Sequence, residues 1–529
     1  MTAHEHGSDA RTLTRGIAAN AATLAAMSVR GVMSVVIART LGGAALGAFL
    51  LAFAWMDVLS TIGVFGLDNA ALTFVARARG LGRAWAARPI LRAAALAALG
   101  ASLVPMLAVL LAVAAGWPRS IRAGGVGLAL AVMAPTIPAL AVGRVCAAVA
   151  RGLRVMDVDL YAHGITGTVV MLGGLALTLA LGVGEAGPSL AVTIGTFAAL
   201  AVAAGMTARV VSDAAVAPAT PGGAPQSGRA AGVAATDDPA RGLLRFAVPV
   251  AGTSILGLLL TRLDVLLLGF FVGSAPGVTP FTVGAYAAAA EWAGGLRKLR
   301  QVFDQAFAPI VAQASTGGLG AGDGTPAGQP AVGPAVSAQA RLEQVATWIL
   351  LLVCPIVALT ALSGGAALAL YGREFRVATP WLVVLVVATG SHGLLGLFET
   401  VIMVKRPSLN VVNALAAVAV QAGLSLVLIP RVGAVGAAVG TLCAYVVQAT
   451  LRAIEVRALE GWAWPWHAFT LPVGASVAAL AVGAVPRSLV PGAGGEALAA
   501  VVFVLVYLTL VRGGLSQVPG KSRRHSQQR

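Results

Sequence analysis

Long apolar stretches recur along the whole chain and limit its fold more than any other feature. About fourteen of them have the length that crosses a bilayer as a helix, for which 18 or more apolar residues suffice. They lie at residues 16–38, 46–66, 91–115, 121–149, 158–183, 189–211, 243–272, 281–311, 344–363, 378–403, 410–429, 433–457, 467–485 and 494–512. The strands of an outer-membrane barrel would alternate apolar and polar residues, and these stretches do not. The sequence therefore predicts an all-α, polytopic membrane protein with about 14 transmembrane helices.

Lysine and arginine are concentrated in alternate loops between these stretches. One set of loops contains most of them, and we assign Arg144 and Arg452 to this set as well. The opposite loops contain only Arg39, Arg119, Arg122, Arg373, Arg376, Arg431 and Arg487. Because basic residues collect in cytoplasmic loops, this pattern predicts a bacterial cytoplasmic-membrane protein with both termini in the cytoplasm. The net charge of +16 then reflects loops that face anionic lipid, and no module for nucleic acid is apparent.

A short repeat and two linkers predict the domain organisation. The segment LGAFLLAFAW from Leu46 matches VGAYAAAAEW from Val283, each at the start of a span, which favours a duplication over chance similarity of alanine-rich helices. Two segments rich in Ala, Pro and Gly predict flexible cytoplasmic linkers. The predicted order is a cytoplasmic tail (1–15), a six-helix N-lobe (16–211), a linker (212–242), a six-helix C-lobe (243–457) containing the second linker (312–343), two further helices (458–512) and a basic cytoplasmic tail (513–529).

Five ionisable residues fall inside the predicted spans that open each lobe. They are Arg30, Asp57, Arg262, Asp264 and Glu291. Charges inside a bilayer are costly, so they normally face a cavity or a partner. One interpretation is a central substrate-binding cavity, in which the arginines attract an anionic headgroup and the carboxylates balance the charge or carry a coupling ion. The alternative is a set of buried salt bridges between helices.

Other polar residues suggest weaker hypotheses. His392 and Glu399 share a helix face and could relay protons, although a histidine satisfied by a neighbouring helix is the simpler explanation. Asp68, Arg297 and Asp304 lie near the predicted cytoplasmic ends of two spans, where they form either a gate or ordinary caps. The sequence predicts no metal site, cofactor or enzymatic activity, since no catalytic motif is intact. The run Gly520-Lys521-Ser522 lacks the glycine that a phosphate-binding loop requires at position 515.

Several segments resemble the multidrug/oligosaccharidyl-lipid/polysaccharide (MOP) exporter superfamily, on its polysaccharide-flippase side. They are residues 39–67, Arg245–Gly269, Val283–Pro309, Tyr371–Ala378 and Pro430–Gly440. The resemblance implies a two-lobed helical bundle that works by alternating access. It also implies export of an undecaprenyl-pyrophosphate-linked oligosaccharide for cell-surface polysaccharide, with Arg30 and Arg262 at the pyrophosphate. The first span has fewer arginines than that of lipid II flippases, which argues against a peptidoglycan role.

Two other functions stay open at this point. A cation-coupled multidrug exporter of the same superfamily would favour an acidic, aromatic-rich cavity, whereas this chain offers arginines and is only 5% aromatic. A membrane scaffold of envelope assembly, without transport, would need its intramembrane charges to be ion pairs. The predicted partners are the lipid-linked saccharide and membrane lipids, together with a polysaccharide polymerase or glycosyltransferases, and not nucleic acid.

Overall fold

The computed structural model describes residues 31–122, 124–216, 239–296, 338–461, 466–490 and 492–516, and the regular structure in these ranges is helical throughout. The helices of the first half are α1 (Gly31–Leu41), α2 (Gly43–Val64), α3 (Leu67–Gly80), α4 (Ala87–Ala115), α5 (Val126–Met133), α6 (Thr136–Gly152), α7 (Asp157–Ala180) and α8 (Gly187–Val216). Those that follow are α9 (Pro239–Phe270), α10 (280–296), α11 (Ala338–Leu368), α12 (Thr379–Lys405), α13 (Pro407–Val432), α14 (Ala434–Glu460), α15 (Trp466–Leu489) and α16 (Ala493–Ser516).

Length and composition confirm the predicted all-α, polytopic class. Within the described residues 11 helices are long and apolar enough to cross a membrane, or up to 12 when α5 and α6, bent by 42° at their junction, count as one span. The predicted spans 16–38 and 281–311 are described only in part, as α1 and α10. A total of about 14 spans agrees with this count.

The chain forms two compact units, Met1–Gly284 and Ala285–Arg529. Helix α9 belongs to the first unit, although we assigned its residues to the C-lobe on the basis of the repeat and the linker. The predicted lobe boundaries describe an internal sequence repeat, whereas the compact units describe packing. The lobe boundaries therefore remain a prediction. In the first unit, small residues of α3, α4 and α6 form a core with Leu243 and Ala247 of α9.

Helix α9 packs closely against α2 in the antiparallel sense, and glycines mark both ends of the contact. Gly66, with a left-handed φ of 73°, follows α2, and a Cβ there would lie 2.6 Å from the backbone oxygen of Ala247. At the other end, a Cβ on Gly269 would clash with the side chain of Leu51. Close backbone approach of this kind needs residues without side chains. The resulting register sets the middle of α9 opposite the middle of α2.

Beyond this contact α2 meets the start of α10, again through glycine. A Cβ on Gly284 would lie 2.5 Å from the backbone oxygen of Gly43 and 3.0 Å from Cα of Gly47, and a Cβ on Gly47 would clash with the oxygen of Pro280. Gly47 and Gly284 occupy equivalent positions in the sequence repeat. The two equivalent residues therefore contact each other directly.

In the second unit, α15 and α16 pack on α11 through a core that includes Leu362, Ala479 and Phe503. The Tyr507 hydroxyl donates a hydrogen bond to the backbone oxygen of Leu351. Next to them α12, α13 and α14 pack side by side. Helices α13 and α14 approach closely at Gly436 and Gly440, where added Cβ atoms would meet Leu428 and Ser425.

Candidate functional site

Asp57 joins two arginines from different helices of the first unit. Its Oδ2 accepts hydrogen bonds from Nε and Nη2 of Arg262 on α9, at 3.2 and 3.1 Å. Its Oδ1 accepts one from Nη2 of Arg144 on α6, at 3.3 Å. The antiparallel register of α2 and α9 brings Asp57 opposite Arg262, and α6 supplies the second guanidinium. We call Arg144, Asp57 and Arg262 the arginine–aspartate cluster.

Neutral groups support both arginines of the cluster. Nη1 of Arg144 donates to Thr61 Oγ1 at 2.6 Å, and Thr61 in turn donates to the backbone oxygen of Asp57 at 3.0 Å. Cζ of Arg262 lies 6.0 Å from the centroid of the Phe53 ring, within reach of a cation–π attraction. Phe53, Asp57 and Thr61 are four residues apart along α2, so they share one face of the helix.

The cluster lies far from the helix ends and carries a net positive charge. Each of its residues is at least seven residues from either end of its helix, about 10 Å along the axis. The side chains of Arg144, Asp57 and Arg262 are 31%, 22% and 23% exposed, so each side chain is partly accessible. Two cations and one carboxylate leave one positive charge. Guanidiniums bind phosphate oxygens in pairs, so this arrangement can hold an anion with several oxygens.

A second carboxylate-centred group lies two helical turns further along α6. Arg151 Nε lies 3.5 Å from Asp159 Oδ2, and His163 Nδ1 lies 3.7 Å from Asp159 Oδ1. Asp159 and His163 are in α7, where residues Leu160–Gly167 form a π-helix. Arg144 and Arg151 are seven residues apart and share a face of α6. Arginine side chains therefore continue along one face of α6 from the cluster toward the α6–α7 turn, where Asp159 balances the charge of Arg151.

Among the predicted cavity residues that the structure describes, Asp57 and Arg262 contact each other. Asp264 points to another face of α9, is 4% exposed, and accepts a hydrogen bond from the backbone N–H of Val265 at 2.8 Å. Glu291 belongs to the second unit. Arg30 lies outside the described residues.

Glu291 has an aromatic neighbourhood in the second unit. Burial and the charge of Glu291 raise the pKa of Tyr371, which lies in the turn after α11. Trp292 donates a side-chain hydrogen bond to the Tyr371 hydroxyl. Tyr371 therefore stays protonated and neutral in the physiological range.

The remaining predicted residues that the structure describes have local or structural partners. Asp68 accepts hydrogen bonds from the backbone and side chain of Asn69 in the first turn of α3. Its proposed gate partners Arg297 and Asp304 lie outside the described residues. The His392 ring stacks on Tyr445, with centroids 4.6 Å apart. Glu399 pairs with Arg452 of α14 at 3.1 Å. The gate and the proton relay remain predictions.

Sequence reasoning missed the roles of Arg144 and Arg452. We assigned both to cytoplasmic loops, yet Arg144 lies in α6 on Asp57, and Arg452 lies in α14, 4% exposed, on Glu399. Both assignments were wrong because charge counting treats a basic residue near the end of a span as a loop residue. The signal was present, since both residues fall inside the predicted spans 121–149 and 433–457. An arginine inside a span indicates a partner or a cavity.

Comparison with known proteins identifies the family. A family model described as polysaccharide biosynthesis protein matches residues 14–314, more than half of the chain. Among solved structures, the chain is similar to the lipid II flippase MurJ in an inward closed conformation, at 13% identity and a TM-score of 0.66, over 94% of this chain and 98% of that one. It is also similar to an inward-facing multidrug resistance MATE family transporter of the MOP superfamily, at 13% identity and a TM-score of 0.57, over 83% and 96% of the two chains.

A third similar structure is the eukaryotic MATE transporter AtDTX14, at 15% identity and a TM-score of 0.52, over 89% of this chain and 99% of that one. No curated protein sequence matches significantly. At these identities the similar structures show the fold, while the family model covers the cluster residues Asp57, Arg144 and Arg262. The chain thus belongs to the polysaccharide biosynthesis protein family and is a multi-pass membrane protein with the fold of the MOP superfamily.

Proposed function

We propose that the protein is a flippase that moves an undecaprenyl-pyrophosphate-linked oligosaccharide across the bacterial cytoplasmic membrane by alternating access. The observation that carries this proposal is the arginine–aspartate cluster, which holds two guanidiniums in the interior of the first unit. Family membership and the fold that the chain shares with the lipid II flippase support the same class of cargo.

The chemistry of the cluster suits a pyrophosphate better than a neutral or cationic cargo. Arg144 and Arg262 point at one carboxylate from two helices, so their forks converge on a region about the size of one small anion. A guanidinium keeps its charge at any physiological pH, and it is desolvated at lower cost than an ammonium. The net positive charge of the cluster stabilises an anion inside the membrane, whereas the surrounding lipid hydrocarbon disfavours one.

The direction of transport follows from the predicted orientation. With both termini in the cytoplasm, Arg151 and the α6–α7 turn face the cytoplasm, where lipid-linked saccharides are assembled. The arginines on this face of α6 would then offer hydrogen-bond donors to the headgroup between the cytoplasmic surface and Arg144. A polysaccharide polymerase and glycosyltransferases act before and after such a step, and they are the expected protein partners.

The lipid-linked saccharide pool of a strain that lacks the protein tests the proposal directly. We expect one undecaprenyl-linked glycan to accumulate on the cytoplasmic face, protected from a membrane-impermeant glycan-modifying enzyme added outside. The accumulated glycan would also identify the cargo. An unchanged pool with unchanged sidedness would contradict a flippase role.

Variants of the cluster then connect transport to these residues. We expect Arg144→Gln and Arg262→Gln each to lower export, scored by glycan sidedness, by roughly tenfold or more, because each removes charge-assisted hydrogen bonds worth about 1.5–3 kcal/mol. Arg431→Gln is the matched control, since Arg431 is exposed and donates a hydrogen bond to the backbone oxygen of Val427 in its own helix. Full export by both cluster variants, at normal membrane levels, would rule out the cluster as the cargo site.

A multidrug exporter is the second candidate, favoured by acidic residues in the second unit. Glu399 pairs with Arg452, and Glu455 accepts a hydrogen bond from Asn413, so these three charged groups carry one net negative charge. A cationic drug would bind near such a region. If the glycan pool is normal and loss of the protein sensitises cells to cationic dyes, this candidate replaces the first.

A further inference from the structure

We propose that Asp57 is a built-in counter-anion that competes with the cargo pyrophosphate for Arg144 and Arg262. This inference rests on the proposed function and adds a mechanism of binding and release to the same site. With no cargo, the carboxylate occupies one edge of each guanidinium. When the cargo binds, its phosphate oxygens replace the carboxylate oxygens. When the cargo leaves, the Asp57 carboxylate binds both arginines again.

The geometry gives Asp57 the binding mode of a small anion. Its two oxygens divide between the two arginines, Oδ2 to Arg262 and Oδ1 to Arg144, at 3.1–3.3 Å. These are the same N–H groups that would bind the two phosphates of a pyrophosphate. One carboxylate on two arginines is also a weaker arrangement than a fork-to-fork pair, because Arg144 reaches Asp57 through one nitrogen only. A ligand with more oxygens and more charge can therefore displace it.

Neutral partners allow the arginines to stay in place when the carboxylate leaves. Thr61 holds Nη1 of Arg144 at 2.6 Å, shorter than the contact with Asp57 itself. Phe53 lies beside Arg262. The backbone oxygen of Asp57 accepts hydrogen bonds from the hydroxyls of Ser60 and Thr61, and the carboxylate takes no part in these two bonds.

The electrostatics explain why a carboxylate would be kept in an anion site. Two arginines alone would bind a pyrophosphate more tightly but would release it slowly. A transporter must both bind its cargo and release it. A competing charge within the site weakens binding of the ground state and speeds release, as required of a site that empties on each cycle. The inference therefore predicts effects of opposite sign on binding and on transport.

The test is a binding titration of the full-length protein in nanodiscs of phosphatidylcholine, which supplies no anionic lipid. Farnesyl diphosphate and inorganic pyrophosphate serve as separate probes, so that a lipid-linked and a free diphosphate are distinguished. For farnesyl diphosphate we expect Asp57→Asn to lower Kd by roughly tenfold, which corresponds to about 1.4 kcal/mol. Asp57→Glu, which keeps the competing charge, should stay within about threefold of the wild type, and Arg262→Gln should raise Kd by roughly tenfold or more.

The same variants are then scored for export by glycan sidedness. We expect Asp57→Asn to bind more tightly and yet export more slowly, a combination that a merely structural role for Asp57 would not give. If the wild type binds farnesyl diphosphate and Asp57→Asn binds it equally or more weakly, the inference is overturned. The flippase proposal then still stands. Absence of binding by all variants, together with normal glycan sidedness in the deletion strain, overturns both. If Asp57→Asn does not fold, Asp57→Ser replaces it with the same expectations.

Discussion

Two arginine–carboxylate pairs differ in the exposure of their arginine, Arg144 with Asp57 and Arg452 with Glu399. The first pair shares its carboxylate with another arginine and is about a quarter exposed. The second has an arginine that is 4% exposed and a carboxylate that is 36% exposed. The arginines of the first arrangement are partly accessible to a ligand, while the arginine of the second is buried, as in a structural ion pair. Similar residue types therefore suggest different roles according to their exposure.

Loss of the Glu399 carboxylate should destabilise the second unit. In Glu399→Gln the Arg452 guanidinium keeps its charge but loses the anionic partner at 3.1 Å, which costs about 1.5–3 kcal/mol of stability. We expect a lower thermal unfolding midpoint in detergent. Glu374→Gln, at an exposed position in the turn before α12, is the control. The double variant Glu399→Gln/Arg452→Met should recover part of the loss, because neither charge then remains. An unchanged midpoint in the single variant would contradict this role.

At the residue scale the sequence predicted the members of the site better than their partners. Asp57 and Arg262 stand out in the sequence because an ionisable residue inside an apolar stretch is rare and costly. The two residues are 205 positions apart in the sequence. Their contact depends on the register of α2 and α9, and no local sequence pattern specifies that register. Arg144 was missed for a simpler reason, since it was counted among loop charges.

Helix α2 meets its neighbours closely along its whole length, and most of its residues are buried. Its contacts run through Gly47 at one end, Gly63 against Ser102 of α4, and Gly66 against α9 at the other. Between these points lies the face with Phe53, Asp57 and Thr61. Close packing at both ends holds that face opposite α6 and α9. Substitutions at the glycines should therefore alter the geometry of the cluster.

A methyl group at Gly66 should disturb both packing and function. Gly66→Ala requires a left-handed backbone conformation and places Cβ 2.6 Å from the oxygen of Ala247, and we expect a loss of about 1–3 kcal/mol in stability together with reduced export. Gly100→Ala in α4 is the matched control, because a Cβ there meets nothing within 4 Å. That variant should be neutral or gain about 0.5–1 kcal/mol. The measurements are thermal unfolding in detergent and glycan sidedness, and equal behaviour of the two variants would contradict the packing argument.

Helices were predictable from hydropathy, but their breaks were not. The apolar stretches at 46–66 and 91–115 correspond to α2 and to the greater part of α4. The π-helix at Leu160–Gly167 has no signature in its apolar sequence, because its hydrogen-bond pattern depends on how α7 packs on α8. The left-handed Phe65 at the end of α2 is equally invisible, since this conformation is unfavourable for a phenylalanine in isolation.

At the scale of the whole molecule, the distribution of basic residues predicts which loops face the cytoplasm. We expect a cysteine at Leu81, in the turn after α3, to react with a membrane-impermeant maleimide only in inverted vesicles. A cysteine at Ser274, between α9 and α10, should react in intact spheroplasts. Both positions are exposed, and the three native cysteines would first be replaced by serine or alanine. The opposite labelling pattern would reverse the proposed orientation, and with it the direction assigned to the basic face of α6.

The contact between Gly47 and Gly284 has a meaning for the history of the molecule. Under the predicted duplication these two residues descend from one position in a shorter ancestral chain. When equivalent residues of two copies touch, their contact lies on the twofold axis that relates the copies. In an ancestor with separate subunits, a single codon would have supplied both sides of this contact, and any side chain larger than hydrogen would have met its own image. Under the same prediction, gene fusion would have made the two codons independent, and both positions are glycine in this chain.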